Sequence, residues 1–328
     1  MVDVKRNAIR FIHRKPGDVM ADRAVIITGG NAGLGYQCAK NVALGDPGYH
    51  VVLACRSLAR GEAAAEALRA ETGNSNITVM ELDLASPASV RAFHDTFSQA
   101  DLPPLYGVVC NAGISASGTP GAPRTADGFE TIFAVNHLGH FLLTNLLLNR
   151  MGDSGRIVFV TSDLHNPPAF FPVKVTYSNA AMIAAGGGPG MKAYCTSKLC
   201  NLYCAYEMAR LLSDRTDRRV TVNAFNPGAM SDTGFAAPTG NALVRGATRV
   251  IGGIMGKLIG KQGTSTASGA ALAKLITDPA LAATTGTYND RGAQAPSSPL
   301  SHNRDNAREL WRASMEMTGL SESDTIFS

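Results

Sequence analysis

The chain has no dominant charge. Across 328 residues, 30 Lys and Arg face 26 Asp and Glu, for a formal net charge of +4. No Lys/Arg run is dense enough to form a nucleic-acid groove, so nucleic acid is excluded as a partner. The six cysteines, at positions 38, 55, 110, 195, 200 and 204, include no CxxC pair and no zinc-type spacing, so no metal site is expected. They sit in apolar runs and are read as reduced core thiols of a cytoplasmic protein. Residues 1–22 carry Lys5, Arg6, Arg10, Arg14 and Lys15 but lack the apolar stretch of a secretory signal, and no segment is read as approaching a membrane span. Acidic residues are missing altogether from 233–275. There Leu243, Ala247, Val250, Ile251, Ile254, Met255, Leu258 and Ile259 recur at helical spacing, with Arg245, Arg249, Lys257 and Lys261 between them. That pattern fits a helix packed on the core. It fits equally a lid over an apolar pocket, its cations facing a membrane or an anionic substrate edge.

What is present is an alternation. Short β-branched runs at 24–28, 51–55, 77–82, 105–110, 156–161 and 220–225 are each followed or preceded by an amphipathic stretch. These stretches fall at 34–44, 57–72, 86–99, 130–150 and 192–212. Buried strands alternating with helices predict an α/β fold built on a doubly wound parallel sheet. No repeat or composition break divides the chain. It is read as one domain, with a core at 22–235, a lid and last strand at 236–290, and a helical tail at 291–328. The loop at 163–191, with Pro167, Pro168, Pro172 and the glycines 186–188, is too long for a mere connection.

Thirty-four glycines are more than an average share, and they cluster where the first strand meets the first helix, in Thr28-Gly29-Gly30-Asn31-Ala32-Gly33-Leu34-Gly35. A strand, a glycine-rich turn and a helix together suit a pyrophosphate resting on backbone amides and a helix N-terminus. Gly29, Asn31, Ala32, Gly33, Leu34 and Gly35 are therefore cofactor candidates. The end of the second strand carries Cys55-Arg56, with Arg60 on the same helical face and no acidic residue. Two guanidinium groups there suit a 2′-phosphate, which favours NADPH over NADH. Asp83 and Leu84 after the third strand, and Asn111 and Gly113 in Asn-Ala-Gly after the fourth, extend the candidate nucleotide site. Tyr194 and Lys198 stand four residues apart on one helix face, where an ammonium is expected to lower the pKa of the phenol.

Together these elements resemble the short-chain dehydrogenase/reductase superfamily. They are TGGNAGLG at 28–35, Asp83, NAG at 111–113, Asn136, Ser162, YCTSK at 194–198 and Asn-Pro-Gly at 226–228, in the family's order over about 22–235. The resemblance implies a Rossmann fold with Tyr194 as acid/base, Lys198 on the nicotinamide ribose, Ser162 orienting the reacting oxygen and Asn136 holding a proton-relay water. It also places Pro227 and Gly228 at the cofactor. Members often pair through the helices flanking the fifth strand, so a homo-oligomer and a monomer are both open. The stretch from Asn136 to Leu148 is similar to the branch of retinol dehydrogenases and light-dependent protochlorophyllide oxidoreductases. Lys192–Asn201, the loop containing Ala181-Met182-Ile183 and the tail around Trp311 lean toward the latter. That branch implies a large apolar substrate, a tetrapyrrole reduced at its C17=C18 bond in light. The alternative is dark reduction of a large ketone or aldehyde. Ala229 stands where the pigment reductases usually carry cysteine, and Gly113 where they often carry alanine.

Overall fold

The computed structural model describes residues 20–115, 124–186, 190–230 and 262–327. In chain order, β1 (Arg23–Thr28), α1 (Gly33–Gly45), β2 (Tyr49–Cys55), α2 (Leu58–Thr72), β3 (Ile77–Glu81), α3 (Pro87–Gln99) and β4 (Leu105–Cys110) form the first half. Then follow α4 (Thr131–Leu148), β5 (Met151–Val160), α5 (Ala180–Ala185), α6 (Gly190–Arg215), β6 (Arg219–Asn226) and β7 (Ala229–Met230). The described chain ends with β8 (Gln262–Gly263), α7 (Ser265–Thr277), β9 (Tyr288–Asp290), β10 (Ala293–Ala295) and α8 (Arg304–Thr318).

Eight strands form one sheet in the order β10-β9-β6-β5-β4-β1-β2-β3, all parallel except the β10–β9 pair. The period-two geometry of a strand divides its side chains between two apolar layers. Ala24 and Ile26 of β1 join α3, α4 and α6 on one face, while Val25 and Ile27 join α1, α2 and α7 on the other. With both faces covered, the strands can be continuously hydrophobic, which is why they stand out in the sequence. Helix starts follow local chemistry. Ser57 caps α2, and Ser86 caps α3 with Pro87 just inside.

Three expectations need correction. The stretch at 130–150 is not a uniform helix: a π-helical turn at Ala134–Leu138 interrupts it. Thr131–Leu148 is also long and apolar enough to cross a membrane by length and composition, contrary to the sequence reading, but 89% of it is buried inside the protein. Its hydrophobicity is accounted for by burial between the sheet and its neighbouring helices. Finally, the stretch at 163–191 is not all loop, since α5 (Ala180–Ala185) lies within it. Of the 233–275 segment, residues 233–261 lie outside the described residues, and the rest falls on β8 and α7. In α7, Leu272, Ala273, Leu275 and Ile276 are buried against the sheet, and Gly269 sits so close to α1 that a Cβ there would lie 2.4 Å from the Cβ of Gln37.

Candidate active site

β1 lies between β2 and β4, so successive connections leave it toward opposite edges, and a crevice opens above its carboxyl end. Every sequence-derived site residue outside a helix comes from the carboxyl end of a strand: Gly29 after β1, Arg56 after β2, Asp83 after β3, Asn111 after β4, Ser162 after β5 and Pro227 after β6.

The glycine-rich turn is built by close approach. Gly29 and Gly33 have positive φ (64° and 54°). A Cβ on Gly35 would lie 2.4 Å from the Gly29 carbonyl oxygen and 2.5 Å from Asn111 Nδ2, so only glycine fits. Ala32 precedes α1 with no side-chain cap, so the N-cap residue leaves the helix's first amides free of its own side chain. Such a start favours an anion. Arg56 and Arg60 are exposed, and among the described residues neither has an ion-pair partner. The residues present thus fit a phosphorylated nicotinamide dinucleotide. Three candidate side chains do something else. Leu34 and Leu84 are buried in the two cores, which leaves only their backbone for a ligand. Asn111 donates from Nδ2 to the Thr28 carbonyl at 2.8 Å, tying the end of β4 to that of β1.

The four candidate catalytic residues converge from α4, β5 and α6. Asn136 sits in the π turn, fully buried, accepting from the Ile114 amide (2.8 Å) and donating to the Ile114 carbonyl and Ser197 Oγ (both 3.0 Å). A Cβ on Gly113 would stand 3.1 Å from Asn136 Oδ1 and 3.6 Å from Lys198 Nζ, which puts all three at one spot. Pro227 and Gly228 close the far side, the Pro227 carbonyl accepting from Ser268 Oγ of α7 at 2.8 Å. Lys198 Nζ lies 5.6 Å from the centroid of the Tyr194 ring and donates to the Val160 carbonyl at 3.1 Å. Burial lowers the Lys198 pKa to about 8.

The expected tuning of the phenol is not found. The Tyr194 pKa is raised, by burial first and then by nearby Cys195 and Asp163, while its hydrogen bond with Ser162 opposes the rise. Asp163 was missed in the sequence. Its Oδ1 is 3.2 Å from Ser162 Oγ, so the Ser162 proton has two acceptors, a carboxylate and the phenol oxygen. With a neutral phenol, Tyr194 donates to Ser162 and Ser162 to Asp163; with a phenolate, the Ser162 proton must turn back toward Tyr194.

Ile132, Tyr194 and Cys195 form an apolar cluster lined by Ile114, Leu164, Phe171, Val173 and Val175. From 171 to 179 burial alternates along the loop, with odd-numbered residues partly buried and even-numbered ones exposed. His165 and His140, both unremarked in the sequence, are buried beside the tetrad. Nδ1 of His165 bonds the Ser162 carbonyl at 2.6 Å, and its Nε2 accepts from the Ser298 amide at 3.1 Å.

An open α/β sheet that gathers a glycine turn and a Tyr/Lys/Ser/Asn set at its carboxyl edge defines a Rossmann-type nucleotide-binding fold with a candidate proton-transfer site. Comparison with known proteins narrows the class. The short chain dehydrogenase family model matches residues 23–183. Human retinol dehydrogenase 12 is 33% identical over 310 residues, covering 91% of this chain and 87% of that protein. Carrot (Daucus carota) chloroplastic protochlorophyllide reductase is 33% identical over 324 residues, covering 90% of this chain and 78% of that protein. The chain belongs to the short-chain dehydrogenase family. It spans about half the length of three other curated relatives (54%, 53% and 50%). Among solved structures, a short chain dehydrogenase of Escherichia coli CFT073 complexed with NADPH shares the fold. Its TM-score is 0.60 at 22% identity, with 84% of this chain and 99% of that one covered.

Proposed function

We propose that the chain is an NADPH-dependent reductase of a large apolar substrate, and that this substrate is protochlorophyllide, reduced at C17=C18 in light. The observation that carries the reading is the setting of the phenol. Tyr194 stands at the carboxyl edge of the sheet among Ile114, Leu164, Phe171, Val173 and Val175. Large apolar side chains continue outward along the same segment, with Phe170 65%, Met182 61% and Met191 37% exposed. Such a wall excludes water and suits a wide hydrophobic molecule. NADPH supplies the hydride when bound. The chain's own residues orient it through the α1 N-terminus and the Arg56/Arg60 pair, keep the reaction dry, and hold a proton at the Tyr194 hydroxyl beside Ser162. The likeness to protochlorophyllide reductase supports the pigment.

Ala229 and the equal identity to retinol dehydrogenase 12 favour a second reading, dark reduction of a long apolar aldehyde or ketone by the same tetrad. One experiment decides. Protein, NADPH and protochlorophyllide are mixed in darkness, and absorbance is followed before and after a flash. A red-shifted product formed only after light supports the pigment reading; no change in light together with NADPH oxidation by retinal in darkness replaces it with the second.

A further inference from the structure

His140 is a buried imidazole that the proposed chemistry does not use, yet it touches two parts of the site at once. It lies on α4 one turn after Asn136 and is fully buried, as are Thr28, Asn136 and Ser197. Its Nδ1 is 3.1 Å from the main-chain oxygen of Asn136, and its Nε2 is 2.9 Å from Thr28 Oγ1. Thr28 Oγ1 in turn accepts from the amides of Asn111 and Ala112, both at 2.9 Å.

These contacts admit one tautomer of the neutral ring. The Asn136 oxygen can only accept, so Nδ1 must carry hydrogen. The two amides occupy the lone pairs of Thr28 Oγ1, so that hydroxyl must donate; its acceptors are His140 Nε2 at 2.9 Å and the Val109 carbonyl at 3.2 Å, and a neutral ring with Nδ1–H leaves Nε2 only to accept. With the proton on Nε2 instead, Nδ1 would set a lone pair against the Asn136 oxygen, and Thr28 would be asked for a third acceptance. Burial first, and then the charge of Lys198, disfavour a second proton on the ring, against the hydrogen bond to the Asn136 oxygen, which favours it.

The network continues past Asn136. Its Nδ2 donates to Ser197 Oγ at 3.0 Å, and Ser197 Oγ donates to the Tyr194 carbonyl at 2.7 Å. One dry chain of hydrogen bonds therefore runs from the residue just before the glycine-rich turn, through His140 and Asn136, to the helix that carries the acid/base.

We propose that His140, as the neutral Nδ1–H tautomer, is a positioning residue that fixes the cofactor-binding turn and the Asn136/Tyr194 proton machinery in one register. This inference rests on the oxidoreductase reading but not on the substrate. Its physical basis is that a displacement of about 1 Å in such a site costs on the order of 100-fold in rate.

The two arms can be separated by amides. In His140→Asn the Nδ2 takes the place of Nδ1 and still donates to Asn136. In His140→Gln the Oε1 takes the place of Nε2 and still accepts from Thr28. His140→Leu removes both. Expected in steady-state kinetics are a loss of kcat of about 100-fold and a severalfold rise in the NADPH KM for Leu, since both arms are gone. Asn should recover most of kcat, whereas Gln should recover the NADPH KM and leave kcat low. Kinetics within twofold of wild type in all three folded variants would overturn the proposal, as would losses in Asn and Gln that only follow their melting temperatures. Wild-type protein labelled with 15N-histidine gives a readout that needs neither a variant nor turnover. The His140 ring should show its proton on Nδ1 throughout pH 6–8, and a proton on Nε2 overturns the proposal. If wild type turns over neither pigment nor retinal, the substrate readings fail, while the tautomer and NADPH binding followed by fluorescence still decide this one.

Discussion

At the residue scale, the site is a set of polar groups whose properties come from burial rather than from their sequence neighbours. Lys198 is the clearest case. Its ammonium is costly where it stands, and its pKa falls from the usual 10.5 to about 8. If the charged form holds the cofactor, kcat/KM for NADPH should decline above pH 8, and a pH–rate profile from 6 to 10 checks it. Folding carries the opposite sign: the buried charge is relieved as pH rises from 8 to 10.5, so the protein gains stability over that window. Arg56 and Arg60 are a second residue-scale test. Replacing both with Ala should raise the KM for NADPH at least tenfold and change that for NADH less than threefold, since a neutral ribose offers them no dianion. Equal losses for the two cofactors would remove their assigned role. The identities of these residues were legible in the sequence because polar groups placed at strand ends have few structural reasons to be there. Asp163, His140 and His165 were not legible. What gives each its role is a partner far along the chain or a change in burial, and neither leaves a local pattern.

At the element scale, fit between backbones decides what composition cannot. Glycine within a helix ordinarily costs about 1 kcal/mol relative to alanine. On α4, however, a Cβ at Gly139 would sit 2.4 Å from the Leu84 carbonyl oxygen. Gly139→Ala should therefore destabilise, by about 1–3 kcal/mol, where propensity alone predicts a gain. Thermal unfolding gives the sign directly. The segment at 171–179 is a second element whose position is set from outside. Tyr177 donates to the Glu309 carboxylate of α8, and that carboxylate also accepts from the Ala180 amide at the start of α5 (3.2 and 3.3 Å to its two oxygens). This strap holds Phe171, Val173 and Val175 over Tyr194. Glu309→Gln should loosen it, raising the KM for the apolar substrate severalfold while leaving NADPH binding near wild type; a change confined to NADPH would contradict the assignment. The sequence marked this loop as unusually long, but its alternation of burial resembles a strand, and nothing local says that a tail helix anchors it.

At the scale of the whole molecule, the tail packs on the two long helices that flank β5. α8 lays Ala307 and Leu310 against a cluster containing Leu199 and Tyr203 of α6, and Trp311 packs edge-on to Phe141 of α4 at 4.9 Å. Phe327 adds a second ring contact to Trp311 at 5.8 Å. These are the helices through which the family's members often pair, and here the chain's own tail covers them. A monomer is expected in light scattering coupled to size exclusion; a stable dimer would require another face.

What the sequence determined by itself was the α/β class, the order of strands and helices through residue 226 apart from α5, the glycine-rich turn, and the residue types of the candidate cofactor and proton-transfer sites. Those features rest on local rules: a strand buried on both faces is hydrophobic throughout, a helix start takes Ser or Pro, and a pyrophosphate turn needs glycine. Only the tertiary structure decided that α7 belongs to the core, that α4 carries a π turn, that Tyr194 has a raised rather than lowered pKa, and that Thr28, His140, Asn136 and Ser197 join in one buried network. Each of these depends on which distant groups share a water-free space. Solvent exclusion and long-range packing set that, and neither is encoded within a short window of sequence.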